Sequence, residues 1–357
     1  MSGGLGLDQT CRERHSLNGF KESATQPATQ PAAIEATTLM QQCDDDQRPK
    51  VLVLFSGPYD REDGIKAHLE AHNHTTVMVD NDATNGGDAR HDISRDDFYE
   101  QLLQQARNGE FTAVIAAPPC STFSVARHFK SRDPDKPGPP PVRTREHPYG
   151  IPGQSPERAR EAERANLLVA RTCAILTAAR FSGAEFILEN PSDHGDPNND
   201  YYFLDATHVP LWNLKEVQLL QVASNATLIS FPMCELGHAS QKLTTLMVTP
   251  GVIKQLSFLA DLRCSHKTHK PAGGETKNGK FTSSEAARYP KRMNEILAHA
   301  IATIGADNIH KTRLPAALAM TAGGIDGNKI MGTEIHYEEN NREYEAVTVN
   351  PDLLLGP

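Results

Sequence analysis

Short continuous apolar runs alternate with amphipathic segments between residues 50 and 190. Continuous runs are typical of strands buried on both faces, whereas apolar residues three or four positions apart are typical of helices. The pattern predicts strands over residues 51–55, 75–80, 111–117 and 185–188, and helices over residues 62–71, 96–108 and 156–181. Alternation of this kind predicts an α/β fold with a parallel, doubly wound sheet that binds its ligand at the carboxyl ends of the strands.

The pattern changes after residue 201, where it becomes richer in strands. We expect strands over residues 217–222, 227–231 and 243–248, then a basic loop over residues 266–280 and a helix from about 284 to 304. The ends of the chain lack an apolar period, which is typical of disorder. We therefore expect a disordered leader over residues 1–48, one domain over 49–305 with a small strand and loop region at about 206–283, and a partly disordered extension over 306–357.

The net charge is −9, but the acidic excess lies at the two ends of the chain. The part between them is almost neutral and contains basic stretches at residues 127–147 and 263–280. A surface coated with phosphate-binding side chains is excluded, whereas local basic patches allow nucleic acid as a partner. No apolar run is long enough for a membrane span and no signal peptide is evident, so we expect an intracellular protein without a membrane partner.

Three residues that suit an adenosine cofactor follow the first two predicted strands. Gly57 comes directly after the first strand, where a missing side chain lets the backbone approach a ligand. Asp80 ends the second strand, where a carboxylate can bind the ribose hydroxyls. Asp92 follows and can accept a hydrogen bond from an exocyclic amine. Asp80 taken alone is equally well explained as a residue that caps a turn.

A thiol and a carboxylate end the next two strands. Pro118 and Pro119 end the third strand and hold Cys120 at the carboxyl edge of the sheet. Glu189 and Asn190 end the fourth strand, so the carboxylate lies beside the thiol if the two strands are neighbours. A lone cysteine is ordinarily a buried structural residue. Cys120 lies in a rigid turn and outside any apolar period, which favours a presented, reactive thiol.

These residues, in this order, resemble the motifs of the cytosine-5 DNA methyltransferases. The resemblance spans about residues 50–305 and rests on Phe55-Ser56-Gly57, Asp80, Asp92-Ile93, Pro119-Cys120-Ser121-x-Phe123-Ser124 and Glu189-Asn190. It implies a Rossmann-like, seven-stranded methyltransferase sheet, S-adenosyl-L-methionine as cofactor, and DNA as the preferred partner of a monomeric enzyme. It also implies that the protein works in the nucleus if it is eukaryotic and otherwise in the cytoplasm.

The resemblance further implies a role for each matching residue. Cys120 would be the nucleophile that adds to C6 of cytosine, and Glu189 the acid at N3. A base in a duplex would be flipped out to reach them. The implied cofactor-binding residues are Phe55, Ser56, Gly57, Asp80, Asn81, Asp92, Ile93 and Pro118. The implied substrate-binding residues are Pro119, Ser121, Ser124, Arg127, Asn190 and Lys242.

The chain departs from the family pattern at two places. Pro58 and Tyr59 follow Gly57 where the family has a second glycine. Leu243 and Thr245 stand where the family has two arginines, which leaves Lys242 or Arg127 to replace a contact with the cytosine. We expect Lys242 to point to the other face of its strand, because successive side chains alternate.

Two other functions and one metal site stay open at this point. The small strand and loop region at about 206–283 stands where the family has its target-recognition region, and it is short. This short region also suits a cytosine-5 methyltransferase that acts on RNA. The altered motifs also suit a catalytically silent domain that binds S-adenosylmethionine or nucleic acid. Cys234, Cys264, His266 and His269 have donors suited to zinc, but their spacing is unusual and a histidine-rich basic loop is the favoured interpretation, so no metal is predicted. The loop over residues 127–145 either grips phosphates or is a solvated, proline-rich surface loop.

Overall fold

The structure is a computed structural model that describes residues 48–128, 138–196, 205–270 and 287–304. The elements described below all belong to one compact unit that begins at Pro49. The predictions for the leader at 1–48, apart from Arg48, and for the extension at 306–357 lie outside the described residues. Among the described helices, none combines the length and the apolar character that a membrane crossing requires.

Six strands form a mixed sheet in the described part of the chain. They are β1 (Lys50–Leu54), β2 (Thr75–Val79), β3 (Ala113–Ala116), β4 (Glu185–Pro191), β5 (Thr227–Pro232) and β6 (Leu243–Val248). The order across the sheet is β2-β1-β3-β4-β6-β5. β1 to β4 pair in parallel, whereas β6 runs antiparallel to both β4 and β5. The α/β class and the largely parallel sheet are confirmed, with six strands where the resemblance implied seven.

In the described residues, six α-helices cover the two faces of this sheet. They are α1 (Ile65–Ala71), α2 (Asp96–Arg107), α3 (Pro156–Phe181), α4 (Lys215–Ser224), α5 (Pro250–Leu256) and α6 (Lys291–Ala302). Leu52 and Leu54 of β1 belong to the core cluster formed with α2, α3 and α4, whereas Val51 and Val53 belong to the cluster formed with α1, α5 and α6. Both faces of the central strands are therefore buried, which explains their continuous apolar sequences.

The prediction of a strand over residues 217–222 is wrong, because this segment is the middle of α4. Val217 and Leu220 are buried, whereas Leu219 is 56% and Val222 76% exposed. A strand would have buried every second residue, but the buried positions here are three apart, as a helix requires.

The predicted start of the last helix at residue 284 is also wrong for the residues that are described. Residues 287–290 are not helical, and Pro290 is extended, with φ −65° and ψ 153°. The helix begins at Lys291, directly after Pro290, because a proline disfavours the helical conformation of the residue that precedes it.

Candidate active site

A cavity of about 340 Å³ lies at the carboxyl ends of β1 and β2. Residues 91–93, Pro119, Ser121 and the first half of α3 complete its walls. The structure brings five of the predicted cofactor-binding residues to this cavity, namely Phe55, Asp80, Asn81, Asp92 and Ile93. Ser56 and Pro118 lie next to lining residues in the chain and Gly57 lies two positions after Phe55, but none of the three is part of the wall.

Asp80 holds the turn that follows β1 as well as lining the cavity. Its Oδ2 accepts a hydrogen bond of 2.9 Å from the Gly57 backbone N–H, and its Oδ1 accepts one of 2.9 Å from the Asp82 N–H. Gly57 has φ 66°, in the left-handed region that glycine adopts without strain. The two interpretations of Asp80, as a turn residue and as part of a ligand site, are therefore compatible.

Tyr59, which departs from the family pattern, also ties this turn to β2. Its hydroxyl donates to the Met78 carbonyl at 2.9 Å and accepts from the Asp80 N–H at 3.2 Å. Burial and the nearby Asp80 carboxylate raise the pKa of Tyr59, so the hydroxyl keeps its proton. Tyr59 therefore supplies a structural bridge at the place where the family has a glycine.

Gly87 is a residue of this site that the sequence did not indicate. A Cβ atom at Gly87 would lie 2.1 Å from the Asp80 carbonyl oxygen, which is backbone and cannot rotate away. The loop after β2 therefore passes so close to Asp80 that only glycine fits, and this contact helps to fix the Asp80 backbone.

Asp92 also lines the cavity and lies in a network of donors. It accepts hydrogen bonds from the Asn81 amide at 2.9 Å, the Ser94 N–H at 2.8 Å and the Arg164 guanidinium at 3.0 Å. Burial acts to raise the pKa of Asp92, but these hydrogen bonds and the Arg164 charge outweigh it and lower the pKa. Asp92 is therefore an ionised acceptor at neutral pH.

Three polar residues of the cavity wall were missed by the sequence analysis as site residues: His91, Glu161 and Arg164. The His91 ring stacks on Phe98 with 5.2 Å between ring centroids. Its buried Nδ1 has no hydrogen-bond partner among the described residues. Glu161 and Arg164 belong to a long charged helix, where such residues are ordinarily solvated, so the sequence offered no signal for them.

Cys120 and Glu189 lie at the ends of adjacent strands, as predicted. β3 pairs in parallel with β4, with Ala116 opposite Leu188, so the residues that follow both positions reach the same edge of the sheet. The Asn190 amide donates to the Pro118 carbonyl at 2.9 Å and ties the cysteine turn to β4. Cys120 is half-buried and Glu189 is buried.

Two further side chains surround the Glu189 carboxylate. The Tyr289 hydroxyl donates to Glu189 Oε2 at 2.9 Å, and the Lys242 ammonium lies 3.5 Å from Glu189 Oε1. Burial and the Glu189 charge raise the pKa of Tyr289 well above its usual value, so this hydroxyl is a donor at neutral pH. Tyr289 is 100 residues away from Glu189 in the chain and follows no strand, so no pattern in the sequence places it beside this carboxylate.

The charges of Lys242 and Glu189 act on the pKa of the Cys120 thiol in opposite directions. Burial raises the pKa of Cys120, the Lys242 charge lowers it, and the Glu189 charge raises it. The net effect is a raised pKa. The thiol is therefore protonated at neutral pH.

The expectation that Lys242 points away from the site is wrong. Lys242 lies just before β6, which begins at Leu243, so the alternation of a strand does not apply to it. Its ammonium instead reaches Glu189, at the place where a contact from an arginine was expected.

The two positions where the family has arginines are filled by interior side chains. Leu243 is buried, and the Thr245 hydroxyl lies 2.7 Å from the hydroxyls of both Ser192 and Ser230. Because these hydroxyls connect β6 with β5 and with the end of β4, Thr245 contributes to packing between strands. Of the two predicted substitutes, Lys242 alone reaches the carboxylate.

Arg127 has other partners. Its guanidinium donates to the Ser121 carbonyl at 2.6 Å and the Pro140 carbonyl at 3.1 Å, and it forms an ion pair with Glu161. These contacts occupy Arg127 in the structure, so its predicted role at the cytosine is not supported. Ser124 accepts from the Ala126 N–H at 3.2 Å and begins a short turn.

Cys234, Cys264, His266 and His269 come together in the structure. Their candidate ligand atoms all lie within 4.8 Å of one another. The sequence indicated these four residues as donors but favoured a histidine-rich basic loop, because the spacing of the three ligands over residues 264–269 is unusual for zinc.

No protein-family model matches this sequence, and no curated protein is significantly similar to it. The residues and their geometry are therefore the basis on which a function is assigned below.

Proposed function

We propose that this protein transfers a methyl group from S-adenosylmethionine to C5 of cytosine in DNA. The observation that carries the proposal is the pairing of the half-buried Cys120 thiol with the buried Glu189 carboxylate at adjacent strand ends. A cavity lined by Asp80 and Asp92 begins next to this pair, at Pro119 and Ser121.

The cavity fits an adenosine cofactor in position, size and polarity. The chain passes from β1 outward to β2 and then to β3 on the other side of β1, which is the arrangement at which open α/β sheets bind ligands. Its volume of about 340 Å³ falls in the range of small-molecule sites. Asp80 and Asp92 would bind the hydroxyl and amine groups, and Leu54 and Ile93 would contact the apolar parts. S-adenosylmethionine supplies an electrophilic methyl group when bound.

The position of the cavity also supports a more specific assignment of the fold. We infer a doubly wound, seven-stranded methyltransferase sheet, in which one strand would be added beside the edge strand β2. The reversed strand β6 between β4 and β5 and the helices on both faces support this assignment.

Cys120 and Glu189 overcome the low reactivity of cytosine at C5. The Cys120 thiolate forms a bond to C6 while a proton passes from Glu189 to N3, and the electrons displaced from the ring make C5 nucleophilic. After C5 has gained the methyl group, its proton passes to water, and the electrons of that bond re-form the C5–C6 double bond. Sulfur leaves C6 as the thiolate, and N3 returns its proton to Glu189. The buried Asn190 Oδ1, which has no hydrogen-bond partner among the described residues, is available to contact the base.

The charges around Cys120 couple its deprotonation to the protonation of Glu189. An ionised Glu189 raises the pKa of Cys120, so adding a proton to Glu189 removes one cause of the raised value. The thiolate and the neutral carboxylic acid therefore favour each other, and both are required for attack on C6. Lys242 stabilises the thiolate with its positive charge, and Tyr289 holds the carboxylate by its hydrogen bond.

The function is tested by methyl transfer from labelled S-adenosylmethionine. We expect labelled methyl groups in a DNA duplex that contains cytosine, and none in a duplex in which other bases replace every cytosine. An RNA of the same sequence is the second substrate, and label in RNA alone would change the proposed substrate from DNA to RNA. No label in either nucleic acid would contradict the proposed activity.

Cofactor binding is tested separately, because binding to the native state raises the melting temperature. With S-adenosylhomocysteine at 100 times its Kd, we expect a stabilisation of about 2.7 kcal/mol and a rise of roughly 5–10 °C in Tm. Asp80→Asn removes a charged acceptor and should weaken binding about 10- to 100-fold. Asp82→Asn is the matched control, since Asp82 caps the next turn outside the cavity wall. An equal shift in both variants would exclude Asp80 from the binding site.

A further inference from the structure

We propose that Cys234, Cys264, His266 and His269 bind a structural zinc ion. The two sulfur atoms are 3.6 Å apart, and Cys264 Sγ lies 3.3 Å from His269 Nε2 and 3.9 Å from His266 Nδ1. A tetrahedral zinc with bonds of about 2.3 Å to sulfur and 2.0–2.1 Å to nitrogen keeps its ligands roughly 3.3–3.8 Å apart. The separations from Cys264 Sγ are therefore close to those that a zinc ion requires, and all four ligand atoms lie within 4.8 Å of one another.

The donor set identifies the metal. Thiolate and imidazole ligands are typical of zinc, whereas calcium and magnesium prefer oxygen ligands. Four protein ligands complete a tetrahedral shell and leave no position for substrate or water. The site is therefore structural and takes no direct part in catalysis.

A disulfide does not explain the two cysteines. Both are free, and their sulfur separation of 3.6 Å far exceeds the roughly 2.05 Å of a disulfide bond. Glu235 Oε1 lies 3.1 Å from His266 Nδ1 and positions this ring beside Cys264. The same oxygen accepts from the Ser265 N–H at 2.7 Å and fixes the loop that carries His266.

The zinc ion would join two segments of the chain that hydrogen-bond to the backbone on either side of the stretch before β6, which carries Lys242. Cys234 lies in the short turn Met233–Leu236 after β5, and the other three ligands lie in residues 264–269. The Met233 N–H, next to Cys234, donates to the Lys242 carbonyl at 2.8 Å. On the other side, the Lys270 N–H donates to the Ala239 carbonyl at 3.0 Å. A metal here would hold the backbone from which Lys242 reaches Glu189.

The metal content of the purified full-length chain tests this proposal. We expect about one zinc per chain by mass spectrometry, and we expect cobalt(II) in its place to give the intense visible absorption and thiolate charge-transfer bands of a tetrahedral site. His266→Ala and Cys264→Ser should each lower the zinc content at least about tenfold. His147→Ala and Cys120→Ser are the matched controls, which remove a histidine and a cysteine outside the cluster and should retain the metal.

The exposed His266 ring makes its variant the safer one for folding, which circular dichroism checks directly. A folded wild-type chain that contains no zinc and gives no tetrahedral cobalt spectrum would overturn the proposal. A zinc content that His266→Ala and Cys264→Ser leave unchanged would do the same, as would a Cys234–Cys264 disulfide in the metal-supplemented protein. None of these results depends on methyl transfer, so the zinc site and the proposed activity succeed or fail independently.

Discussion

Cys120→Ala is expected to abolish methyl transfer and the covalent trapping of a 5-fluorocytosine oligonucleotide. In the proposed mechanism the thiol is the group that bonds to C6, so its removal closes the covalent route and should lower the rate at least about 10⁴-fold. Fluorine at C5 cannot leave as a proton does, so the wild-type enzyme should stop as a stable adduct after methyl transfer. The adduct is measured as a slower band on a denaturing gel.

Cys173→Ala is the matched control for this experiment. Cys173 is a free thiol buried in α3, and it is not a lining residue of the cavity, so the variant should trap the oligonucleotide as the wild type does. An adduct that persists in Cys120→Ala would move the nucleophile to another residue. No adduct with wild-type protein, in DNA or in RNA, would favour a silent binding domain over an enzyme.

Glu189→Gln is expected to slow methyl transfer about 10²- to 10⁴-fold and to lower the pKa of Cys120. The rate falls because glutamine cannot donate a proton to N3. The pKa falls because the Glu189 charge is one of the causes that raise it, and the Lys242 charge that lowers it remains. Alkylation of Cys120 by iodoacetamide, followed over a pH series by peptide mass spectrometry, should therefore begin at lower pH than in the wild type.

Lys242→Met is the matched control with the opposite sign. It removes the charge that lowers the pKa of Cys120, so alkylation should begin at higher pH than in the wild type. Shifts of the two variants in the same direction would mean that these charges do not control the thiol. If Glu189→Gln slows methyl transfer but leaves the pKa of Cys120 unchanged, Glu189 remains the proposed acid. The proposed coupling between Glu189 and the thiol would then be contradicted.

Most of the sheet and several helices follow directly from the sequence pattern. The predicted helix at residues 156–181 has the bounds of α3, and the strands at 227–231 and 243–248 match β5 and β6 to within one residue. The pattern failed at residues 217–222, where branched and apolar residues occur on the exposed side of α4 as well as the buried side. Local preference for strand was overridden there by packing against the core.

The two central site residues were predictable because both follow buried parallel strands. Cys120 comes after β3 and Glu189 lies near the end of β4, and neighbouring parallel strands bring such positions to one edge. Tyr289 and Lys242 were not predictable in this way. Tyr289 precedes α6, a helix near the end of the described chain that packs against α1 near its beginning. Lys242 lies outside the strand whose alternation was used to orient it.

The sequence by itself determined which strands end in Cys120, Glu189, Asp80 and the glycine turn, because a parallel sheet converts such endings into one shared edge. Only the tertiary structure decided the state of the thiol, since its pKa depends on burial and on charges from Lys242 and Glu189. The close approach of Gly87 to Asp80 and the Cys234 cluster were likewise decided by packing. Such contacts join residues far apart in the chain, and local periodicity carries no information about them.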